Sequence, residues 1–173
     1  MTVRRLLRCD RGAAAAEMAL VLPFLVLIVA AAAEVGYYFY EQNRLVESVR
    51  DAARYAGRQP FVEYAACAGA PSAAIVNQTK LIAQKGTLDA TAADLLWGWG
   101  ETGESFTVSM SCDTTVTHAG NTETMGGIYG NNPSGAPTVA VDASLPHRTV
   151  FGFIGIPLNL TLNAQQEAAV MGI

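Results

Sequence analysis

MALVLPFLVLIVAAAA, residues Met18–Ala33, runs for sixteen residues without a charge, and its reading decides the architecture. As a helix at about 1.5 Å per residue it spans roughly 24 Å, a little short of the ~30 Å hydrocarbon core of a bilayer. Ala13–Ala16 before it and Val35–Tyr40 after it supply the missing length. Its valine, leucine, isoleucine and phenylalanine side chains favour insertion, which predicts a single membrane helix ending at about 36–40. Tyr37, Tyr38 and Tyr40 fall where an interfacial aromatic belt belongs. Arg4, Arg5, Arg8 and Arg11 precede the run, with Asp10 the only acid among them. That asymmetry predicts a cytoplasmic N-terminus.

The helical pattern continues past the apolar run. Leu45, Val46, Val49, Ala52, Ala53 and Ala56 recur at the spacing of one helix face, and Glu41, Arg44, Glu47, Arg50, Asp51 and Arg54 lie between them. One helix over 13–58 is therefore expected, lipid-embedded in its first half only, with a kink at Pro23. A cleaved secretory signal cut near Ala30–Ala33 is the alternative. It would leave Glu41–Arg58 without its anchor. Glu17, at the start of the apolar stretch, reads either as an interface marker snorkelling to water or as a carboxylate awaiting a partner's cation. Glu34 admits both readings at the far interface, with the first favoured.

Whole-chain composition agrees with an anchor plus one small domain. Hydrophobic residues make up 51% and charged residues 15% of 173 residues, against roughly 25% charged in soluble chains, which excludes a disordered protein. A net charge of −4 with pI about 5.1 argues against nucleic acid as a partner. Residues 59–173 read as one extracytoplasmic α+β domain. Ala73–Lys85 predicts a short helix, with Ser72 as N-cap and Gly86 just past its end. Phe106–Thr117, Thr138–Leu145 and Leu158–Gln165 alternate like strands, giving a three- or four-stranded antiparallel sheet. Ala119–Pro137 reads as a turn-rich loop. His118 and His147 read as solvent-facing loop residues without ligand spacing, and Trp97-Gly98-Trp99-Gly100 as core or strand-edge packing, with an exposed contact patch as the alternative. No catalytic constellation, metal site or cofactor motif is expected.

Arg11–Pro23 (RGAAAAEMALVLP) resembles the N-terminus of the TadE/TadF-like pseudopilins of tight-adherence, Flp-type pilus systems. In that family a basic leader ends in glycine, a glutamate stands five residues beyond the cut, and an LVLP stretch follows in the membrane helix. Ala52–Ala56 (AARYA) looks like the family's Ala/Arg-rich stretch, and Leu158–Met171 like its last strand and tail. The likeness is specific over 11–58 and weak between about 60 and 135. Met18 stands where related prepilins often carry an aromatic, a departure that bears on cleavage efficiency.

The resemblance implies that residues 1–12 are a cytoplasmic leader, removed at Gly12–Ala13 by a membrane-embedded aspartic prepilin peptidase. It implies a minor pseudopilin of the bacterial inner membrane, not an enzyme, whose partners are other pilin or pseudopilin subunits of a type IV pilus used in cell adhesion. A single-pass, signal-anchored periplasmic binding module is the alternative. A cut after Gly12 creates a cationic amine on Ala13, and a neighbouring helix shifted by one turn brings such an amine beside Glu17, neutralising both charges. Ala13–Ala16 would permit that close approach. Leader removal takes away four arginines and Asp10, moving the net charge from −4 to −7. Cys9 leaves with the leader, so Cys67 and Cys112 remain as an even pair on the oxidising side of the membrane. They read as a disulfide closing a loop of about 45 residues or as two unrelated buried thiols.

Overall fold

The computed structural model describes residues 13–64, 67, 69–132, 134–149, 151–152 and 159–172. Helix α1 (Ala13–Gly57) is 45 residues long and stays helical through Pro23. Every side chain from Ala14 to Val29 is exposed, whereas from Glu41 onward one face is buried and the other is not. Two compact units result, one ending at Tyr37 and the other covering Tyr38–Ile173. The second unit begins inside the helix, where the amphipathic pattern starts.

Among the described residues of the second unit, α1 is followed by α2 (Ala73–Lys85) and five strands: β1 (Ser105–Asp113), β2 (Thr115–His118), β3 (Asn121–Thr124), β4 (Ala136–Pro146) and β5 (Thr161–Ala169). The arrangement is α+β. A three-stranded antiparallel sheet has the order β1-β4-β5, and β2 with β3 forms a separate hairpin. Register aligns Val108 with Val141 and Leu145 with Leu162, so the apolar members of all three strands share one face. Val108, Met110, Val139, Val141, Ala143, Leu145, Leu162 and Ala164 form a single core with Leu45, Val49, Ala52, Ala53 and Ala56 of α1. The three alanines on α1 let the helix lie close to the sheet, and Tyr64, Ala83, Leu96, Trp99 and Val170 complete the cluster. The opposite face carries Ser105, Thr107, Asp142, Ser144, Asn163 and Gln165 and is polar.

Local chemistry sets the element ends. Gly86 terminates α2 in the left-handed region at φ 71°, donating its N–H to the Ile82 carbonyl at 2.8 Å. Ser72 occupies the N-cap position but its hydroxyl makes no cap bond. The expected strand 106–117 divides after Asp113, because Thr115–His118 pairs with Asn121–Thr124 across a two-residue turn. Ala119 and Gly120 in that turn both have positive φ, as a primed hairpin turn requires. The third strand starts later than expected, at Thr161.

Edge strand β5 is closed by α1. The Gln42 amide donates to the Asn163 carbonyl at 2.6 Å and accepts from the Asn163 N–H at 3.3 Å, standing in for a neighbouring strand. The Tyr38 hydroxyl donates to the Thr161 carbonyl at 3.2 Å, and the Met171 N–H donates to the Gly57 carbonyl at 2.7 Å. On the other side of the molecule the Cys67 and Cys112 sulfurs lie at bonding distance, with their Cα atoms 5.4 Å apart.

Tyr64 ties the first turn after α1 back onto it. Its buried hydroxyl donates to the Ala56 carbonyl at 2.6 Å. Burial above all, then the nearby Glu63 and Tyr55, pushes its phenol up to about 12 from the usual 10. The raised value means that Tyr64 favours folding below pH 10, and that this contribution disappears between about pH 10 and 12 as the unfolded chain ionises first. Tyr64→Phe should lower stability by about 1 kcal/mol at neutral pH. It should also flatten the alkaline fall, as read from urea midpoints measured at several pH values above 9.

Candidate functional site

Two regions carry the chemistry. The first is the start of α1. Ala13 is its first helical residue, and Gly12 lies outside the described residues. Its leading N–H groups have no intrahelical acceptors, which makes the N-terminus partly positive. Glu17 is exposed one turn further on, about 6 Å along the axis from Ala13. The alanines between them leave that part of the helix narrow. Glu34, expected to reach water at the far end of the apolar stretch, is buried instead.

The second region gathers at the first turns of α1 within the second unit. Glu41 faces the sheet and its Oε2 lies 2.5 Å from Nδ1 of His147, both side chains being almost wholly buried. With Glu41 ionised, Nδ1–H is the donor. The Tyr38 ring meets the His147 ring edge-on at 5.3 Å, and the His147 N–H donates to the Leu160 carbonyl at 2.9 Å. This corrects the expectation of a solvent-facing His147. The residue follows directly on β4, and its ring turns inward because Glu41 offers the partner that makes burial tolerable. His118 is exposed on β2, not in a loop.

The tryptophan pair divides. Trp99 is buried against Phe106, ring centroids 6.0 Å apart. Trp97 is exposed, with the Arg148 guanidinium over its ring at 5.6 Å. Gly98 between them sits so close to β4 that an added Cβ would meet the Leu145 Cβ at 2.9 Å and the Pro146 carbonyl at 2.7 Å. That close approach is what directs one indole inward and the other outward. Among the described residues no three His, Cys, Asp or Glu side chains are gathered as metal ligands.

Sequence reasoning placed Glu41 among the polar residues of α1 and missed its pairing with His147. The available signal was a carboxylate at helix spacing from the buried face, four residues before Leu45. Removing one partner leaves a buried polar group uncompensated. Glu41→Ala should therefore destabilise the second unit by roughly 3 kcal/mol, and His147→Ala by a similar amount. The double variant should cost much less than the sum, as measured by chemical unfolding of the detergent-extracted chain.

Comparison with known proteins agrees with the N-terminal region. No curated protein and no solved structure matches the chain. The family model described as TadE-like protein matches residues 12–54. It begins at Gly12, takes in Glu17 and the apolar run, and ends inside the amphipathic half of α1. Among the described residues, α1 is the one helix long and apolar enough to cross a membrane. Residues 12–54 are thus a TadE-like segment, built around a helix that fits a membrane anchor.

Proposed function

We propose that this chain is a minor pseudopilin of a tight-adherence type IV pilus, anchored in the bacterial inner membrane by α1 with its C-terminal domain in the periplasm. The observation that carries the reading is the TadE-like match over 12–54, which starts at the glycine expected to end the leader. A prepilin peptidase would cut Gly12–Ala13 on the cytoplasmic side. The new Ala13 amine of one subunit would then lie beside Glu17 of its neighbour. Each charge is expensive in hydrocarbon, ~2.5–3.5 kcal/mol for a central charged residue, so mutual neutralisation selects one packing register. The exposure of the apolar half of α1 along its whole circumference supports packing with lipid and with other pilin-like helices.

Intact mass and N-terminal sequencing of membrane-extracted protein, from cells with and without a cognate prepilin peptidase, test the processing step. The expected result is a chain beginning at Ala13 only when the peptidase is present. An uncut start in both strains would favour the signal-anchored binding module. A Glu17→Ala chain should insert and be cleaved yet fail to assemble with pilin subunits, and normal assembly would contradict the role given to Glu17.

The same topology puts Cys67 and Cys112 in an oxidising compartment, and we infer that they form the bridge. Their Cα separation of 5.4 Å, within the range a bridge spans, supports it. Thiol labelling of the unfolded, unreduced mature protein should find no free cysteine. Reduction should lower stability by about 2–4 kcal/mol. Two labelled thiols per chain would remove the bridge from the reading.

A further inference from the structure

The polar outer face of the three-stranded sheet is hollowed at the end where β1 begins. The open depression there has a volume of about 380 Å³, and its polar lining is Ser105, Asp142, Ser144, Asn163 and Gln165. That volume falls within the roughly 300–1,000 Å³ of small-ligand sites. Strand register sets the floor in two rows. Ser105, Ser144 and Asn163 stand side by side in one, and Thr107, Asp142 and Gln165 in the next. A strand spacing of ~4.8 Å and a rise of ~3.3 Å per residue make this floor about 10 Å by 7 Å. On its outer side β5 is held by Gln42, whose amide grips both backbone groups of Asn163 at 2.6 and 3.3 Å. The backbone that carries the lining is thus fixed before any ligand arrives.

The lining chemistry selects the ligand. Ser105, Ser144, Asn163 and Gln165 can each donate and accept, whereas an ionised Asp142 only accepts. Asp142 and Ser144 are half-buried. Among the described residues, the Asp142 carboxylate, the two serine hydroxyls and the Gln165 amide have no protein hydrogen-bond partner. Asn163 makes one long side-chain bond, from Nδ2 to the Thr161 hydroxyl at 3.4 Å. An apolar ligand finds no greasy wall here, since the large apolar side chains of the sheet point into the core. An anion finds no lysine or arginine on these strands and a carboxylate at the centre of the floor. A hard cation finds a single carboxylate in the lining, fewer than its oxygen-rich sites use. What fits is a neutral ligand crowded with groups that both donate and accept, and that is a sugar. Two adjacent ring hydroxyls can donate to Asp142 while the amides and serines take their neighbours.

We propose that this depression is a carbohydrate-binding site, taking a short stretch of neutral pyranose rings with Asp142 as the central acceptor. The site belongs to the second unit alone and holds whatever anchors α1, so its failure leaves the proposed function untouched.

The full nitrogen-15-labelled chain in lauryldimethylamine oxide micelles provides the test, a detergent chosen because a glycoside detergent would occupy the site. It is titrated separately with maltotriose and with tri-N-acetylchitotriose while backbone amide shifts are followed. Saturable shifts should centre on Ser105, Asp142, Ser144, Asn163 and Gln165 and spare the β2–β3 hairpin. Asp142→Asn keeps the shape but removes the charge, and it should weaken binding about tenfold, the loss of one charge-assisted hydrogen bond. Ser144→Leu fills the floor and should abolish the shifts. Both variants should keep the wild-type urea midpoint, since neither side chain belongs to the core. Saturation by either sugar supports the site, and the tighter of the two tells whether acetamido groups are recognised. Absence of saturable shifts with both sugars overturns the proposal, as does wild-type affinity in both variants. Calcium chloride moving the same amides while the sugars do not would assign the residues to a cation instead. Shifts that follow protein concentration and ignore sugar would assign the face to a second copy of the chain.

Discussion

One helix has to satisfy two surroundings, and the rest of the molecule follows from that. From Ala14 to Val29 α1 is exposed on all sides and, Glu17 apart, apolar; in its second half, Leu45, Val49, Ala52, Ala53 and Ala56 form a stripe that is buried to the last atom or nearly so. A soluble helix cannot be apolar all round, and a membrane helix cannot carry Arg44, Glu47, Arg50 and Asp51 on its outer face. The change of pattern between Glu34 and Glu41 is therefore also the boundary of the folded unit. The three-stranded sheet exists to cover the stripe, and β4, apolar on its inner face from Val139 to Leu145, is its centre.

Polar ties rather than area fix how the helix meets the sheet edge. Apolar packing on alanines tolerates sliding, since small side chains offer shallow ridges. Gln42 on Asn163, Tyr38 on Thr161 and Glu41 on His147 are directional, and a shift of one turn would break all three. The Gln42 amide also deprives β5 of a free pair of backbone groups at its outer edge, where strand addition by another chain would begin.

Much of this was legible in the residues. The apolar run, the amphipathic continuation, the short helix ending at Gly86 and the alternation of β1, β4 and β5 all follow from periodicity, because each buries one face against the same core. The β2–β3 hairpin was not legible, since all eight of its residues are exposed and threonines stand where an apolar alternation would have been. The His147–Glu41 pair was hidden for a different reason. It joins residues 106 apart, and nothing local to either one marks the other. The split fate of Trp97 and Trp99 depends on the tight approach of Gly98 to β4, a tertiary fact that spacing alone does not carry.

The ties between α1 and β5 also set a schedule for synthesis. Tyr38 and Thr161 are 123 residues apart, and the cover for Leu45–Ala56 comes from β4 and β5 near the end of the chain. At roughly 5–20 residues per second, the apolar face of α1 waits about 6 to 25 s before its sheet has been made. The anchor half needs no such delay, because a helix can partition into lipid as soon as it leaves the ribosome. On the proposed anchoring, insertion of that half comes first and domain closure last. Until then the apolar stripe of α1 is the part of the chain left without its cover.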